Sequence, residues 1–216
     1  MRQQVFKCVA EDRVIAILRG IHGQAAFEAA RALAEGGIRL VEVTLSGGLA
    51  ADEDPAPRTI ELLRERLEGR ICVGAGTVLE RKQAELAARA GASFILSPDT
   101  RADVIARTRE LDMVSIPGAA TPTELLTASR CGADFVKIFP AAALGEAYFE
   151  ALRGPVGHIG LIAVGGIDCG NAARFLAAGA AAVGVGSGLS VGGHTSEIRS
   201  NARELVRAAG RKTGSI

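Results

Sequence analysis

The 216-residue sequence has no Cys-x-x-Cys pair and no cluster of histidines. Its four cysteines, Cys8, Cys72, Cys131 and Cys169, are widely spaced, and His22, His158 and His194 do not group with them. Neither a disulfide framework nor a zinc site is expected. An excess of one charge is also missing, since 25 basic against 24 acidic residues leave a net charge of +1. The chain therefore carries no footprint for nucleic acid and no basic cluster for a membrane surface. No apolar run reaches the roughly 18 residues of a membrane span. The opening stretch MRQQVFKCVAEDRVIAILRG lacks the apolar core and cleavage site of a secretory leader. The expected partners are small molecules or copies of the chain itself, and the expected compartment is the cytoplasm.

A dinucleotide fingerprint is absent as well. GxGxxG starting at Gly184 would need glycine where Leu189 stands, and starting at Gly74 it would need glycine where Leu79 stands. A Rossmann dehydrogenase is disfavoured.

What the sequence does contain is a regular alternation. Short β-branched runs recur as VIAIL (14–18), RLVEVTL (39–45), ICVGAG (71–76), SFILSP (93–98), MVSIPG (113–118), DFVKIFP (134–140), GLIAVGG (160–166) and AVGVGSG (182–188). Between and after them, segments of helical period predict helices near 25–37, 57–68, 80–90, 101–110, 121–130, 145–153, 169–178 and 195–209. Thr121-Pro122-Thr123-Glu124 is a helix-start signal, and Gly36-Gly37, Gly91, Gly132 and Gly179 mark helix ends. Strands that alternate with helices pair in parallel, which leaves an open doubly wound sheet or a closed barrel. Eight units in about 200 residues favour an α/β fold of the (β/α)8, or TIM barrel, type, as a single domain over residues 1–216. One stretch is irregular: SGGLAADEDPAPR, 46–58, reads either as a lid over the catalytic face or as a solvated loop.

Two charges fall on the wrong faces of these strands. The strand period places Val41, Val43 and Leu45 on one side and Glu42 with Thr44 on the other. Both faces of a parallel barrel are buried, so Glu42 points into the interior and needs a partner or a task. The same count sends Val136 and Ile138 toward the helices and Phe135, Lys137 and Phe139 inward. Burial shifts a lysine pKa down, toward the neutral amine that a carbonyl nucleophile requires. Arg19, at the carboxyl end of the first strand, could bind a carboxylate and lower the pKa of Lys137 further. Lys137 and Glu42 form either a structural ion pair or a reacting one. Their position toward the carboxyl ends of their strands favours chemistry.

Glycines close the last two strands, as Gly165-Gly166 and as Gly184, Gly186, Ser187 and Gly188. Each run alone is explained by a tight turn. Two runs at the positions where barrels often bind phosphate favour a phosphate site. Gly74-Ala75-Gly76-Thr77 and Ser115-Ile116-Pro117-Gly118 add small residues to the same face, as room for a ligand or as tight turns.

In order, AILRG, VEVTL, VGAGTVL, SIPG, KIFP, VGG and GSG, spread over about residues 12–209, resemble the class I aldolases of 2-keto-3-deoxy-6-phospho sugar acids. The resemblance implies a (β/α)8 barrel that assembles as a homotrimer and needs no metal or other cofactor. It implies that Lys137 is the Schiff-base lysine, Glu42 the general acid/base, and Arg19 the group at the substrate's carboxylate end. Thr77 and Pro117 would line the keto-acid pocket, Phe139 and Val164 would also contact the substrate, and Gly165, Gly166, Gly186 and Ser187 would take the phosphate. The implied products are pyruvate and glyceraldehyde 3-phosphate. Two residues depart from the phosphogluconate aldolases: Val164 stands where they have threonine, and Ser46 where they have arginine. The first departure is similar to the phosphogalactonate branch. Two other readings share parts of this pattern, a phosphosugar isomerase or epimerase using Glu42 as base and a non-catalytic sensor of a phosphorylated acid.

Overall fold

The computed structural model of the chain describes residues 2–46 and 53–210. Residues 47–52 of the irregular 46–58 stretch lie outside the described residues. In chain order the elements begin with α1 (Arg2–Asp12), β1 (Val14–Leu18), α2 (Gly23–Glu35), β2 (Leu40–Thr44), α3 (Ala56–Arg66) and β3 (Cys72–Gly76). They continue with α4 (Arg81–Arg89), β4 (Phe94–Leu96), α5 (Ala102–Glu110), β5 (Val114–Ile116), β6 (Gly118–Ala119), α6 (Pro122–Arg130) and β7 (Val136–Ile138). The last are α7 (Ala141–Leu144), α8 (Glu146–Val156), β8 (Leu161–Val164), α9 (Ala172–Ala177), β9 (Ala182–Val185) and α10 (Thr195–Ala208).

The strands pair in parallel in the order β5-β4-β3-β2-β1-β9-β8-β7-β6. The two ends of this sheet are halves of one strand, separated only by Pro117, which has no N–H to give to a ladder. Bonds on both flanks of this split strand close the barrel. On the β4 side, Ser97 N donates to Ile116 O at 3.2 Å; on the β7 side, Lys137 N donates to Pro117 O at 2.8 Å. Nine short segments thus occupy the eight strand positions of a (β/α)8 barrel.

The face assignment from the strand period holds. Val41, Val43, Leu45, Val136 and Ile138 belong to the apolar layer between strands and helices. Leu40 and Phe135 belong to a separate cluster inside the barrel, with Ile15, Ile17, Phe94 and Ile162. Glu42 and Lys137, two residues on from Leu40 and Phe135, therefore also point inward, and they are 3% and 7% exposed. The helix start at Thr121 carries the expected reciprocal cap, in which the Thr121 hydroxyl accepts from Glu124 N and the Glu124 carboxylate accepts from Thr121 N.

Two helices were not expected. The four-residue α7 follows directly on β7, and α1 precedes the first strand. Val5 and Val9 of α1 are buried among Ile15, Leu40, Phe94, Val114 and Ala182, which stand at the starts of their strands. The helix therefore covers the amino-terminal mouth of the barrel. Each of these valines contributes about 1.5–2 kcal/mol by burial. Two ion pairs hold the ends of α1, from Arg39 to Asp12 at 2.6 Å and from Arg2 to Asp134. With this mouth closed, the open end is the carboxyl face of the strands.

Candidate active site

Glu42 sits midway along β2, in register with Ile17 on one side and Gly74 on the other. Its carboxyl group needs space that β3 provides by having no side chain there. A Cβ on Gly76 would lie 1.6 Å from Glu42 Oε1, and one on Gly74 would lie 2.3 Å from the Phe94 ring. These glycines are neither a turn nor room for a ligand. They leave the volume into which the interior side chains of β2 and β4 pack.

Thr44, one strand period beyond Glu42, donates its hydroxyl to Glu42 Oε1 at 2.8 Å inside the barrel. Burial pushes the Glu42 carboxyl above the usual carboxylate range, against the Thr44 hydrogen bond and the positive charges of Lys137 and Arg19. Lys137 shows the converse effect. Burial pushes its ammonium below the usual lysine range, Glu42 opposes this, and Arg19 adds to it. The Lys137 Nζ stands 4.7 Å from the centroid of the Phe139 ring. No ion pair joins Lys137 to Glu42 among the described residues. The two are near enough to perturb each other's titration but are not locked together, as a purely structural pair would be.

Replacing Thr44 with valine, which keeps the shape and removes the hydroxyl, leaves Glu42 without the bond that lowers its pKa. The acid limb of kcat/KM against pH is expected to move to higher pH, and Thr44→Ser to restore it. A profile that does not move would show that the bond leaves Glu42 untuned.

Burial of Glu42 also bears on stability. Its folded-state pKa lies above the ordinary 4.5, so its contribution is intact well below that value and is lost as pH rises through the folded-state pKa. Glu42→Gln is therefore expected to raise the melting temperature at pH 7, by about 2–4 °C for each kcal/mol relieved. A lower melting temperature would mean that attraction to Lys137 outweighs the burial cost.

Beside this pair lies a cavity of about 350 Å³ at the carboxyl ends of β1, β7, β8 and β9. Arg19, Phe139, Val164, Gly165, Gly166, Gly186 and Ser187 all line it. Phe139 links the cavity to the lysine, because it lines the cavity and its ring packs against Nζ of Lys137. Gly165 and Gly166 have φ of 97° and 74°, in the left-handed region that favours glycine. The amides of Gly166, Ile167, Gly186 and Ser187 donate no hydrogen bond to the chain among the described residues. Backbone donors around a concave site fit an anion.

Of the residues singled out in the sequence, Lys137, Glu42, Thr77 and Pro117 are not among those that line this cavity, and Lys137 reaches it through the Phe139 ring. Thr77 stands just past β3 with φ of 56°, and buried Pro117 touches the lysine strand through its carbonyl. Ser46 gives its amide to Asp54 Oδ2 at 2.8 Å. The sequence reading missed Gly76 as the space for Glu42, and it missed Ile17, Ile167 and Val191, which also line the cavity with Gly184 of the last glycine run. Among the described residues, no three His, Cys, Asp or Glu side chains converge as a metal-ligand set. No described helix is long and apolar enough to cross a membrane.

Known proteins are similar to this chain in sequence and fold. The model of the KDPG and KHG aldolase family matches residues 5–206. The 2-dehydro-3-deoxy-6-phosphogalactonate aldolase of Escherichia coli strain K12 is 36% identical over 185 residues, covering 85% of this chain and 87% of its own. Among solved structures, a native KDPGal structure superposes with a TM-score of 0.83 at 34% identity, covering 90% of this chain and 93% of that one. A KDPG aldolase from Legionella pneumophila, with pyruvate captured at low pH as a covalent carbinolamine intermediate, has a TM-score of 0.77 at 28% identity. That match covers 94% of this chain and 95% of the other. A family match over nearly the whole barrel, joined to a buried lysine and glutamate beside an anion-shaped cavity, identifies the chain as a member of the KDPG and KHG aldolase family.

Proposed function

We propose that the chain is a class I aldolase that cleaves a 2-keto-3-deoxy-6-phospho sugar acid to pyruvate and glyceraldehyde 3-phosphate. The observation that carries this reading is Lys137, buried with a lowered pKa beside Glu42 and next to a cavity lined by unpaired amides. The neutral amine of Lys137 attacks C2 of the substrate, and the carbinolamine loses water to give an iminium. The iminium accepts the electron pair of the C3–C4 bond as that bond breaks, while Glu42 takes the proton of the C4 hydroxyl. Glu42 then returns a proton to C3 of the enamine, and water hydrolyses the iminium to release pyruvate. A pyruvate carbinolamine is the species named in the Legionella structure, and an amine adding to a keto carbon makes it. The isomerase reading is not favoured, because the relatives are aldolases.

The unpaired amides at Gly166, Ile167, Gly186 and Ser187 hold the substrate's phosphate in this reading. Arg19 lines the same cavity. Its guanidinium is therefore assigned to the phosphate end, a change from the carboxylate role expected from the sequence. Thr77 and Pro117, outside this cavity, are assigned to the keto-acid end. Val164 presents an apolar wall where a hydroxyl would contact the substrate, which favours the galactonate epimer by about 1–3 kcal/mol. A homotrimer in the cytoplasm belongs to the same proposal and rests on the family resemblance. Sedimentation equilibrium of the purified protein tests the trimer.

The function is tested by coupling pyruvate release to lactate dehydrogenase with 2-keto-3-deoxy-6-phosphogalactonate and with its gluconate epimer. Release from both, faster with the galactonate, is expected. Preference for the gluconate would overturn the Val164 assignment, and silence with both would overturn the aldolase reading.

A further inference from the structure

The loop between β8 and α9 is held in an unusual way. Asn171 Nδ2 donates to Gly166 O at 2.8 Å, and Asn171 Oδ1 accepts from Asp168 N at 3.0 Å. One side chain thus bridges the loop backbone at both polar ends. A trans peptide unit is planar, so its carbonyl and amide hydrogen point in opposite directions. Tying Gly166 O toward Asn171 therefore turns the Ile167 N–H the other way, and Ile167 lines the cavity. The preceding unit is fixed similarly, since Gly165 O accepts from Ala142 N at 3.0 Å. Its amide belongs to Gly166, the next donor along.

Asp168 connects this loop to the neighbouring one. Its carboxylate accepts from Gly170 N at 2.8 Å and Asn171 N at 3.2 Å. A Cβ on Gly188 would lie 2.8 Å from Asp168 Cβ, so the loop after β9 closes directly onto this turn. Both glycine runs thereby share one support on the side away from the cavity.

We propose that Asn171 is a positioning residue for the phosphate end of the substrate: it holds the Gly166–Ile167 peptide so that its amide faces the anion. The proposal rests on the phosphate reading given above. Asn171 touches neither Lys137 nor Glu42, so its loss weakens recognition of the phosphate and leaves the carbon chemistry intact.

The test compares wild type, Asn171→Ala and Asn171→Asp on the phosphorylated substrate and on the same keto acid without phosphate. Asn171→Asp keeps the acceptor for Asp168 N and removes the donor to Gly166 O, so it decides the matter should Asn171→Ala not fold. KM for the phosphorylated substrate is expected to rise about tenfold, the scale of one lost hydrogen bond. Expected alongside are a kcat within threefold of wild type, an unchanged KM for the dephosphorylated acid, and unchanged trapping of pyruvate by borohydride. A KM that rises equally for both substrates, or for neither, would overturn the role of Asn171 while leaving the phosphate reading in place. If wild type itself gains nothing from the phosphate group, the phosphate reading fails and the inference with it.

Discussion

Lys137→Ala lowers pyruvate release by at least about 10⁴-fold, because it removes the nucleophile and with it the covalent route. The expected loss is in kcat. The cavity is lined by Arg19, Phe139 and backbone amides that the substitution leaves in place. Lys137→Arg is an equally severe test, because a guanidinium keeps a positive charge but does not deprotonate to attack a carbonyl. A variant with either substitution that retained a tenth of wild-type turnover would show that the lysine is a structural charge. The barrel itself should survive the alanine change, since the ammonium of Lys137 costs stability by its burial. A normal melting curve in the inactive variant separates loss of chemistry from loss of fold.

Gly76→Ala is the second large effect, and it comes from a residue with no functional group. The added methyl would stand 1.6 Å from Glu42 Oε1 and 2.1 Å from its carboxyl carbon, so the carboxylate must leave its place. Activity is expected to fall by about 10²–10⁴-fold, the usual worth of a general acid or base. Overpacking adds a stability cost of about 1–3 kcal/mol. If Glu42 acts through position, combining Gly76→Ala with Glu42→Gln does little further harm, because the first change has already removed what the second would remove. Fully multiplied losses in the double variant would mean that Gly76 acts by another route.

The barrel was legible because each strand of a parallel sheet is a short apolar run and each connection a helix of clear period. Where a strand carried charge, as at Glu42 and Lys137, the two-residue alternation alone assigned the inward face. Helix α1 was not legible. Only Val5 and Val9 are deeply buried by it among apolar residues, too sparse a stripe to separate from an exposed segment. The break at Pro117 was visible as a proline, yet its consequence, one strand split into the two ends of the sheet, depends on closure of the barrel.

The site divides in the same way. Residues with reactive groups showed themselves by chemical type at unlikely positions. Gly76 and Asn171 did not. Glycine after a strand suggests a turn, whereas Gly76 matters because the carboxylate of a neighbouring strand fills the space above it. Asn171 falls inside the stretch read as a helix near 169–178, and its two bonds to the loop appear only once the chain has folded back.

The most direct measurement is borohydride reduction of the protein in the presence of pyruvate, followed by peptide mapping. The sequence offers four lysines, Lys7, Lys82, Lys137 and Lys212. Lys7 and Lys82 are exposed on helices, whereas Lys137 is buried inside the barrel. The expected result is a single reduced pyruvate adduct on the peptide containing Lys137, absent without pyruvate and absent in Lys137→Ala. No adduct, or an adduct on another lysine with Lys137 unmodified, would contradict the covalent mechanism.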